Sequence, residues 1–157
     1  DAIRYNATGP TGRASGWACD VRKRTPYAAY DKVQFEEVLS HEGDSYARYN
    51  VRLEEIVQSL HILEQLVDNI PEDDYAVKTK PIIKVPEGRY FKQVEASRGA
   101  FGIYLESRGD KTPYRLKVVS PGFALVGVVD HLVRGAKIAD LITIGGSLDY
   151  VVPDIDR

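Results

Sequence analysis

A stripe of apolar residues in the middle of the chain constrains the fold more than any other pattern in the sequence. In an α-helix, residues that recur at alternating spacings of four and three lie on one face. Asp44 or Ser45 can cap the start of such a helix, and Pro71 ends it. The spacing predicts a helix over 45–70 that packs in a bundle, and three heptads bounded by turns favour this over a coiled-coil seam. The stripe consists of Tyr49, Leu53, Ile56, Leu60, Leu63, Val67 and Ile70.

Segments rich in turn-forming residues lie on both sides of the predicted helix. Residues 1–43 contain several Gly and Pro residues, and only a short strand is predicted there, over 33–38. A loop with Pro and Lys residues follows over 71–91. Three strands are then predicted over 93–97, 102–107 and 114–119, with a turn at the RGDKT sequence between the last two.

Two shorter helices are predicted in the C-terminal third of the chain. One covers residues 124–134, and the other starts near Lys137 and gives way at Gly145 and Gly146. A hairpin combined with helices predicts an α+β fold: a helical core with a long amphipathic helix and a small antiparallel sheet. A length of 157 residues fits one domain or part of a larger one.

The composition excludes several classes of protein. A single cysteine, Cys19, leaves no internal disulfide framework and no site with several thiolate ligands. The net charge of −2 gives no general attraction to nucleic acid. A run of about 18 apolar residues, as a membrane span requires, is absent from the sequence. The chain begins with Asp1 and contains no methionine, so we expect a piece of a longer protein.

One acidic residue stands out near the C-terminus. Asp149 lies within an apolar run formed by Leu148, Tyr150, Val151 and Val152. A carboxylate buried there without a partner would be costly. Asp149 is therefore either an acid in a surface turn, which the residues alone favour, or a group held in a cavity for a purpose.

A second candidate is an ion pair in the segment EASRGAFG. Glu95 and Arg98 lie near a predicted tight turn, and a buried pair could use the bidentate geometry of a guanidinium and a carboxylate. The alternative is an exposed salt bridge at a strand end, which would contribute little to stability. The three histidines are scattered among unlike surroundings and form no recognisable catalytic arrangement.

Five ordered segments of this chain together resemble one family. The chain is similar to the C-terminal part of the 49 kDa subunit (the D-type subunit) of bacterial respiratory complex I, which in some bacteria is fused to the C-type subunit. That family is related to the large subunit of nickel–iron hydrogenases. The resemblance implies a hydrogenase-large-subunit-like fold, with residues 1–157 as a single C-terminal fragment of a longer domain. The segments are DVRKRTPYAAYDKVQF, GDSYARYNVRLEEIVQSLHI, VEASRGAFGIYLESRGDKTPYRLKV, SPGFA and ADLITIGGSLDYVVPDIDR.

The resemblance also implies a site. In the hydrogenases, cysteine pairs hold nickel and iron, and the second pair would fall at 151–154, where this chain has no thiol. The resemblance implies that in complex I the same pocket holds the quinone headgroup. Asp149 and Val151 match family positions that line it, and Arg157 lies nearby at the terminus, so these three residues are the predicted quinone-binding set. A quinone needs a mostly apolar slot. Its reduction takes up two electrons and two protons, so nearby acids matter.

The implied function is that of the quinone-side core subunit of a proton-pumping NADH:quinone oxidoreductase. The chain would bind no cofactor or metal itself, with quinone as substrate, an iron–sulfur cluster in the neighbouring B-type subunit, and NADH used by the whole complex. Other implied partners are the C-type subunit and the H-type subunit of the membrane arm, but no nucleic acid. The expected location is peripheral, on the cytoplasmic side of the bacterial inner membrane, and the isolated fragment is expected to be inactive.

Two other functions stay open at this point. One is a nickel–iron hydrogenase-type large subunit that lacks its metal. The other is a non-enzymatic scaffold within a membrane redox complex, for which the acidic helix over 45–70 would be the docking face.

Overall fold

The computed structural model describes residues 1–72 and 74–156, and within them helices and one small sheet alternate along the chain. The described residues form three short helices, a long one, three strands and two further helices before a final 3-10 turn at Val152–Asp154. The helices are α1 (Ala2–Tyr5), α2 (Gly9–Arg13), α3 (Val21–Arg24), α4 (Ser45–Val67), α5 (Gly122–Val133) and α6 (Asp140–Leu148); the strands are β1 (Gly88–Ala96), β2 (Gly99–Ser107) and β3 (Arg115–Val119).

The three strands form an antiparallel sheet in the order β1-β2-β3. A tight hairpin joins the first two strands, with Ala96 opposite Gly99, and the RGDKT sequence lies between the second and third, as predicted. Strand β1 begins at Gly88, five residues before its predicted start. The predicted α+β class is confirmed.

The strand predicted over 33–38 does not form. This segment instead runs along α4, with Val33 and Phe35 packed on Ile62. Side-chain amides of α4 accept hydrogen bonds from the backbone of the segment over 33–38. Gln34 N–H donates to Gln65 Oε1 at 2.8 Å, and Glu36 N–H donates to Gln58 Oε1 at 2.9 Å. A helix thus satisfies backbone groups that a neighbouring strand would otherwise pair with.

Helix α4 is the long helix that the apolar stripe predicts, but its stripe is not buried. Asp44 caps the first turn by accepting a hydrogen bond from Ala47 N at 2.7 Å, and the helix ends at Val67. The prediction that the stripe packs in a bundle is wrong within the part of the chain that the structure describes. Its members are between 46% (Leu53) and 70% (Ile70) exposed. The elements that contact α4 touch its other face, which buries Val51 and Ile62.

We expect this exposed face to make the isolated chain self-associate. Contiguous apolar surface of this extent on a soluble protein favours association. The double substitution Leu60→Glu, Leu63→Glu should weaken the self-association by at least about tenfold, because each side chain is more than half exposed and a charge there opposes burial. Light scattering coupled to gel filtration measures the effect, with Glu64→Gln on the same helix as the control. A monomeric unmodified chain at tens of micromolar would contradict the expectation.

Helix α6 continues through the two glycines at which it was predicted to give way. It ends at Leu148, and Asp149 follows in the left-handed conformation with φ 56°. Two adjacent glycines cost a helix about 2 kcal/mol relative to alanine. Tertiary contacts offset this cost, because Leu148 is fully buried and Ser147 accepts hydrogen bonds from Arg48 of α4. The continued helix places Asp149 at its C-terminal cap.

Candidate functional site

Asp149 is held at the end of α6 by an arginine from the β1–β2 turn. Arg98 Nε donates to the backbone oxygen of Asp149 at 2.8 Å and lies 3.3 Å from its carboxylate Oδ2. The carboxylate side chain is 42% exposed. Asp149 is thus neither sealed in the core nor free in solvent, because a cation fixes it at the rim of a cavity.

The structure differs from the predicted ion pair between Glu95 and Arg98. Arg98 pairs with Asp149, and Glu95 pairs with Arg13, whose Nη1 donates to Glu95 Oε1 at 2.7 Å. Arg98 lies in the two-residue turn of the hairpin and reaches α6, whereas Glu95 is the second-last residue of β1 and contacts the helices before α4. Glu95 and Arg98 are close in sequence, but they therefore contact different elements.

Arg13 is the centre of a buried charge cluster that also contains Glu55 and Glu95. Its side chain is only 2% exposed and donates from Nε to Glu55 and from Nη1 to Glu95. Burial alone would lower the pKa of Arg13, but the two carboxylates outweigh burial and raise it. Burial raises the pKa of Glu95, and the charge of Arg13 opposes that shift. The sequence analysis did not pair Arg13 with these acids, because they lie 42 and 82 residues away along the chain.

Two cavities meet at Asp149 and Arg52. The first has a volume of about 340 Å³ and a wall rich in charged side chains. The second has a volume of about 610 Å³, and its wall is largely apolar, with Arg52 and Asp149 as its charged residues. The first is lined by Arg13, Arg22, Arg52, Glu55, Ile56, Ser59, Glu95, Ala96, Ser97 and Asp149, and the second by Ser45, Tyr46, Tyr49, Arg52, Thr143, Gly146, Ser147 and Asp149.

Helix α4 places Arg48 and Arg52 one turn apart on the side that faces α6. Arg48 is 3% exposed; its Nη1 donates to Gly43 O at 2.8 Å and its Nε to Ser147 Oγ at 3.0 Å. Arg52 Nη1 donates to Arg48 O at 3.0 Å, while its buried Nε has no hydrogen-bond partner among residues 1–72 and 74–156. Burial lowers the pKa of Arg52, and the charge of Asp149 opposes the shift. The sequence analysis did not identify Arg52 as a candidate, although the four-residue spacing of Arg48 and Arg52 places both on one face of the predicted helix.

The three residues assigned to quinone by resemblance have different positions. Asp149 lines both cavities. Val151 is half-buried two residues further on, and it lines neither of these two cavities. Arg157 lies outside the residues that the structure describes.

The acids, histidines and cysteine do not gather at a common point. Across the described ranges, no three of them are placed so that they could hold a metal ion. Cys19 is buried, and burial raises the pKa of its thiol to about 11. In the same ranges, no helix has the length and apolar character needed to cross a bilayer.

The sequence matches the family described as "Respiratory-chain NADH dehydrogenase, 49 Kd subunit" over residues 1–84 and 75–157. These two matches together cover the whole chain. The chain belongs to this family. Membership confirms the resemblance to the 49 kDa subunit of complex I, while the kinship with nickel–iron hydrogenases stays a prediction.

Relatives within the family are longer than this chain. The C/D-type subunit of the NADH-quinone oxidoreductase of Bacteroides fragilis (strain YCH46) is 67% identical over 157 residues, which is all of this chain but 30% of that protein. The D-type subunit of the NADH-quinone oxidoreductase of Desulfotalea psychrophila is 50% identical over 155 residues, 98% of this chain and 42% of that protein. The chain therefore spans less than half the length of these relatives.

A solved structure shares the fold of the chain. A chain in the structure of the membrane-bound sulfane sulfur reductase, an archaeal respiratory membrane complex, is 43% identical and superposes with a TM-score of 0.92. The match covers 99% of this chain and 43% of that one. The arrangement of α4, the sheet and α6 described above is thus also that of a chain in a respiratory complex.

Proposed function

We propose that this chain is part of the quinone-side core subunit of a respiratory NADH:quinone oxidoreductase, and that the apolar cavity beside Asp149 receives the quinone ring. The observation that carries the proposal is the meeting of two unlike cavities at one carboxylate. A cavity of about 610 Å³ with two charged groups in its wall suits a planar apolar ligand with a few polar atoms. The adjoining cavity, whose wall is rich in charged side chains, places polar groups on one side of that ligand.

The residues of the chain have distinct roles in this proposal. Arg98 fixes the position of Asp149 through its backbone oxygen and its carboxylate. Asp149 lies where the ring and the charged cavity meet, so it can hold or pass a proton as the quinone becomes a quinol. Glu95 is buried in the wall of the charged cavity, where burial raises its pKa and the charge of Arg13 opposes that shift. Val151 and Arg157 complete the proposed quinone-binding set.

The rest of the complex would supply the electrons. In the proposal an iron–sulfur cluster in the neighbouring B-type subunit delivers electrons that other subunits take from NADH. The C-type subunit and the H-type subunit of the membrane arm are the other proposed neighbours, and the complex would hold this chain at the cytoplasmic face of the inner membrane. Isolated from these partners, the chain would not turn over quinone.

A second candidate is a scaffold role within a membrane redox complex. The observation that favours it is the exposed apolar face of α4, which residues 1–72 and 74–156 leave uncovered. The two roles share residues, because Ile56 and Tyr49 of this face also line the first and the second cavity, so a partner docked on α4 would form part of the cavity walls. The hydrogenase-type alternative without its metal stays a prediction.

The substitution Asp149→Asn in the intact complex tests the quinone role. We expect quinone reduction to fall at least about tenfold, because the amide keeps the shape of the side chain but cannot exchange a proton or match the charge of Arg98. Assembly and electron transfer to a hydrophilic acceptor that bypasses quinone should be unchanged. Asp110→Asn in the exposed β2–β3 turn is the matched control. Full quinone reductase activity in Asp149→Asn would overturn the proposal.

A further inference from the structure

Arg52, a residue of the apolar cavity's wall, has a buried donor without a partner among the described residues. Arg52 lines both cavities, and its Nε has no hydrogen-bond acceptor in the part of the chain that the structure describes. A buried N–H that makes no hydrogen bond is rare, because it has lost its hydration without compensation. Arg52 therefore brings to the cavity wall a positive charge that has no ion-pair partner among the described residues, and an oxygen atom of a ligand in the cavity would balance that charge.

The arginines around Arg52 show why it differs from a purely structural residue. Arg13, Arg22 and Arg98 each form an ion pair with a carboxylate. Arg48 is buried and its donors are taken by Gly43 and Ser147. Arg52 has no ion pair within the described ranges, although the cavity wall contains the carboxylate of Asp149, which is bonded to Arg98 instead.

The guanidinium of Arg52 is also held in a fixed orientation. Its Nη1 donates to Arg48 O at 3.0 Å, and Arg48 is itself locked to α6 by Ser147. A donor that is fixed before the ligand arrives requires little reorganisation on binding. The positive charge of Arg52, which has no ion-pair partner within the described ranges, favours an oxygen atom that carries, or gains, negative charge.

We propose that Arg52 binds a ring oxygen of the quinone and stabilises the negative charge that builds on it during reduction. This inference rests on the proposed function of the cavity. The ligand class is a planar ring with a carbonyl oxygen directed at α4 and with its apolar part between Tyr46, Tyr49 and the glycine-containing face of α6. As electrons enter the ring, charge develops on that oxygen, so the contact strengthens in the transition state and affects both KM and kcat.

The substitutions Arg52→Gln and Arg52→Lys in the intact complex test the assignment. We expect Arg52→Gln to raise the KM for a short-chain quinone at least about tenfold and to lower kcat. Arg52→Lys keeps the charge but loses the planar donor. Its kcat should therefore lie closer to that of the unmodified complex than its KM does. Electron transfer to a hydrophilic acceptor should not change. Arg134→Gln, an exposed arginine of similar chemistry beyond α5, is the control.

A merely structural Arg52 would lower the amount of assembled complex and leave the KM of the assembled fraction unchanged, and that result would overturn the proposal. A measurement on the unmodified complex covers the case in which neither variant assembles. Phenylglyoxal modifies accessible arginines, and a quinone-site inhibitor should slow the modification of Arg52 at least about fivefold while Arg134 reacts at the same rate. Equal rates at Arg52 with and without the inhibitor would count against the proposal.

The outcomes separate this inference from the proposed function. If Asp149→Asn abolishes quinone reduction while the Arg52 variants keep the KM, the cavity is the quinone site but Arg52 is not its ligand. If both sets of variants are fully active, the assignment of the cavity to quinone fails as well.

Discussion

Replacing Arg13 with methionine is expected to destabilise the chain by about 3–5 kcal/mol. The arginine is 2% exposed and is the cation shared by two carboxylates, of which Glu95 is 5% and Glu55 19% exposed. Methionine is similar in length but uncharged, so both carboxylates would lose their common counter-charge in a site from which water is largely excluded. Removal of one partner of a buried pair is costly because the other charge stays buried.

The loss in Arg13→Met should depend on pH in a defined direction. Burial already raises the pKa of Glu95, and loss of Arg13 removes the charge that opposes that shift. A carboxyl with a pKa raised in the folded state stabilises folding below its unfolded pKa, and this contribution is lost as pH rises through the folded value. The destabilisation in Arg13→Met should therefore be smaller near about pH 5 than near about pH 8.

Urea unfolding followed by circular dichroism measures both effects. Adding Glu95→Gln to Arg13→Met should recover part of the lost stability, because it removes one of the two uncompensated charges. The exposed substitution Arg134→Met should change stability by less than about 1 kcal/mol, as expected at a surface ion pair. A loss below about 1 kcal/mol in Arg13→Met at neutral pH would contradict a buried cluster.

The second large effect is expected for Gly9→Ala. Gly9 has a φ of +70°, and an added Cβ would lie 2.6 Å from Arg98 O and from two backbone atoms of Gly99. Backbone cannot move aside as a flexible side chain can, so the turn that carries Arg98 would have to shift. We expect a loss of about 3 kcal/mol from the combined clash and left-handed strain. In the intact complex, the shifted Arg98 should also weaken its hold on Asp149 and lower quinone reduction.

Gly109→Ala is the matched control for this effect. Gly109 has a φ of +80°, but apart from its two chain neighbours no described residue has an atom within 4 Å of the added Cβ. The loss of stability in Gly109→Ala should therefore come from the backbone strain alone, about 1 kcal/mol. Thermal unfolding of both variants would separate the two contributions. Equal losses of stability in Gly9→Ala and Gly109→Ala would show that the close approach of α2 to the hairpin adds nothing to the cost of the substitution.

Local sequence patterns predicted the helices and strands of this fold better than the tertiary contacts that these elements make. The alternating spacings of four and three predicted α4, Asp44 predicted its cap, and the RGDKT sequence predicted the turn between β2 and β3, because these features depend on residues close in sequence. The segment over 33–38 has the alternation of a strand but no partner strand in the structure, so the amides of Gln58 and Gln65 bond to it instead. Helix α6 was predicted too short because propensity ignores the buried Leu148 and the anchor at Ser147.

The sequence by itself determined the family, the α+β class and the singular position of Asp149 in an apolar terminus. It could not determine which charges meet. The expected Glu95–Arg98 pair is replaced by Arg13 with Glu95 and Arg98 with Asp149, and Arg52 has a buried donor with no partner among the described residues. Ion pairs between residues as far apart as 82 positions follow from how α2, α4, the hairpin and α6 pack. Periodicity and propensity describe a few neighbouring residues, so only the tertiary structure decides such pairs.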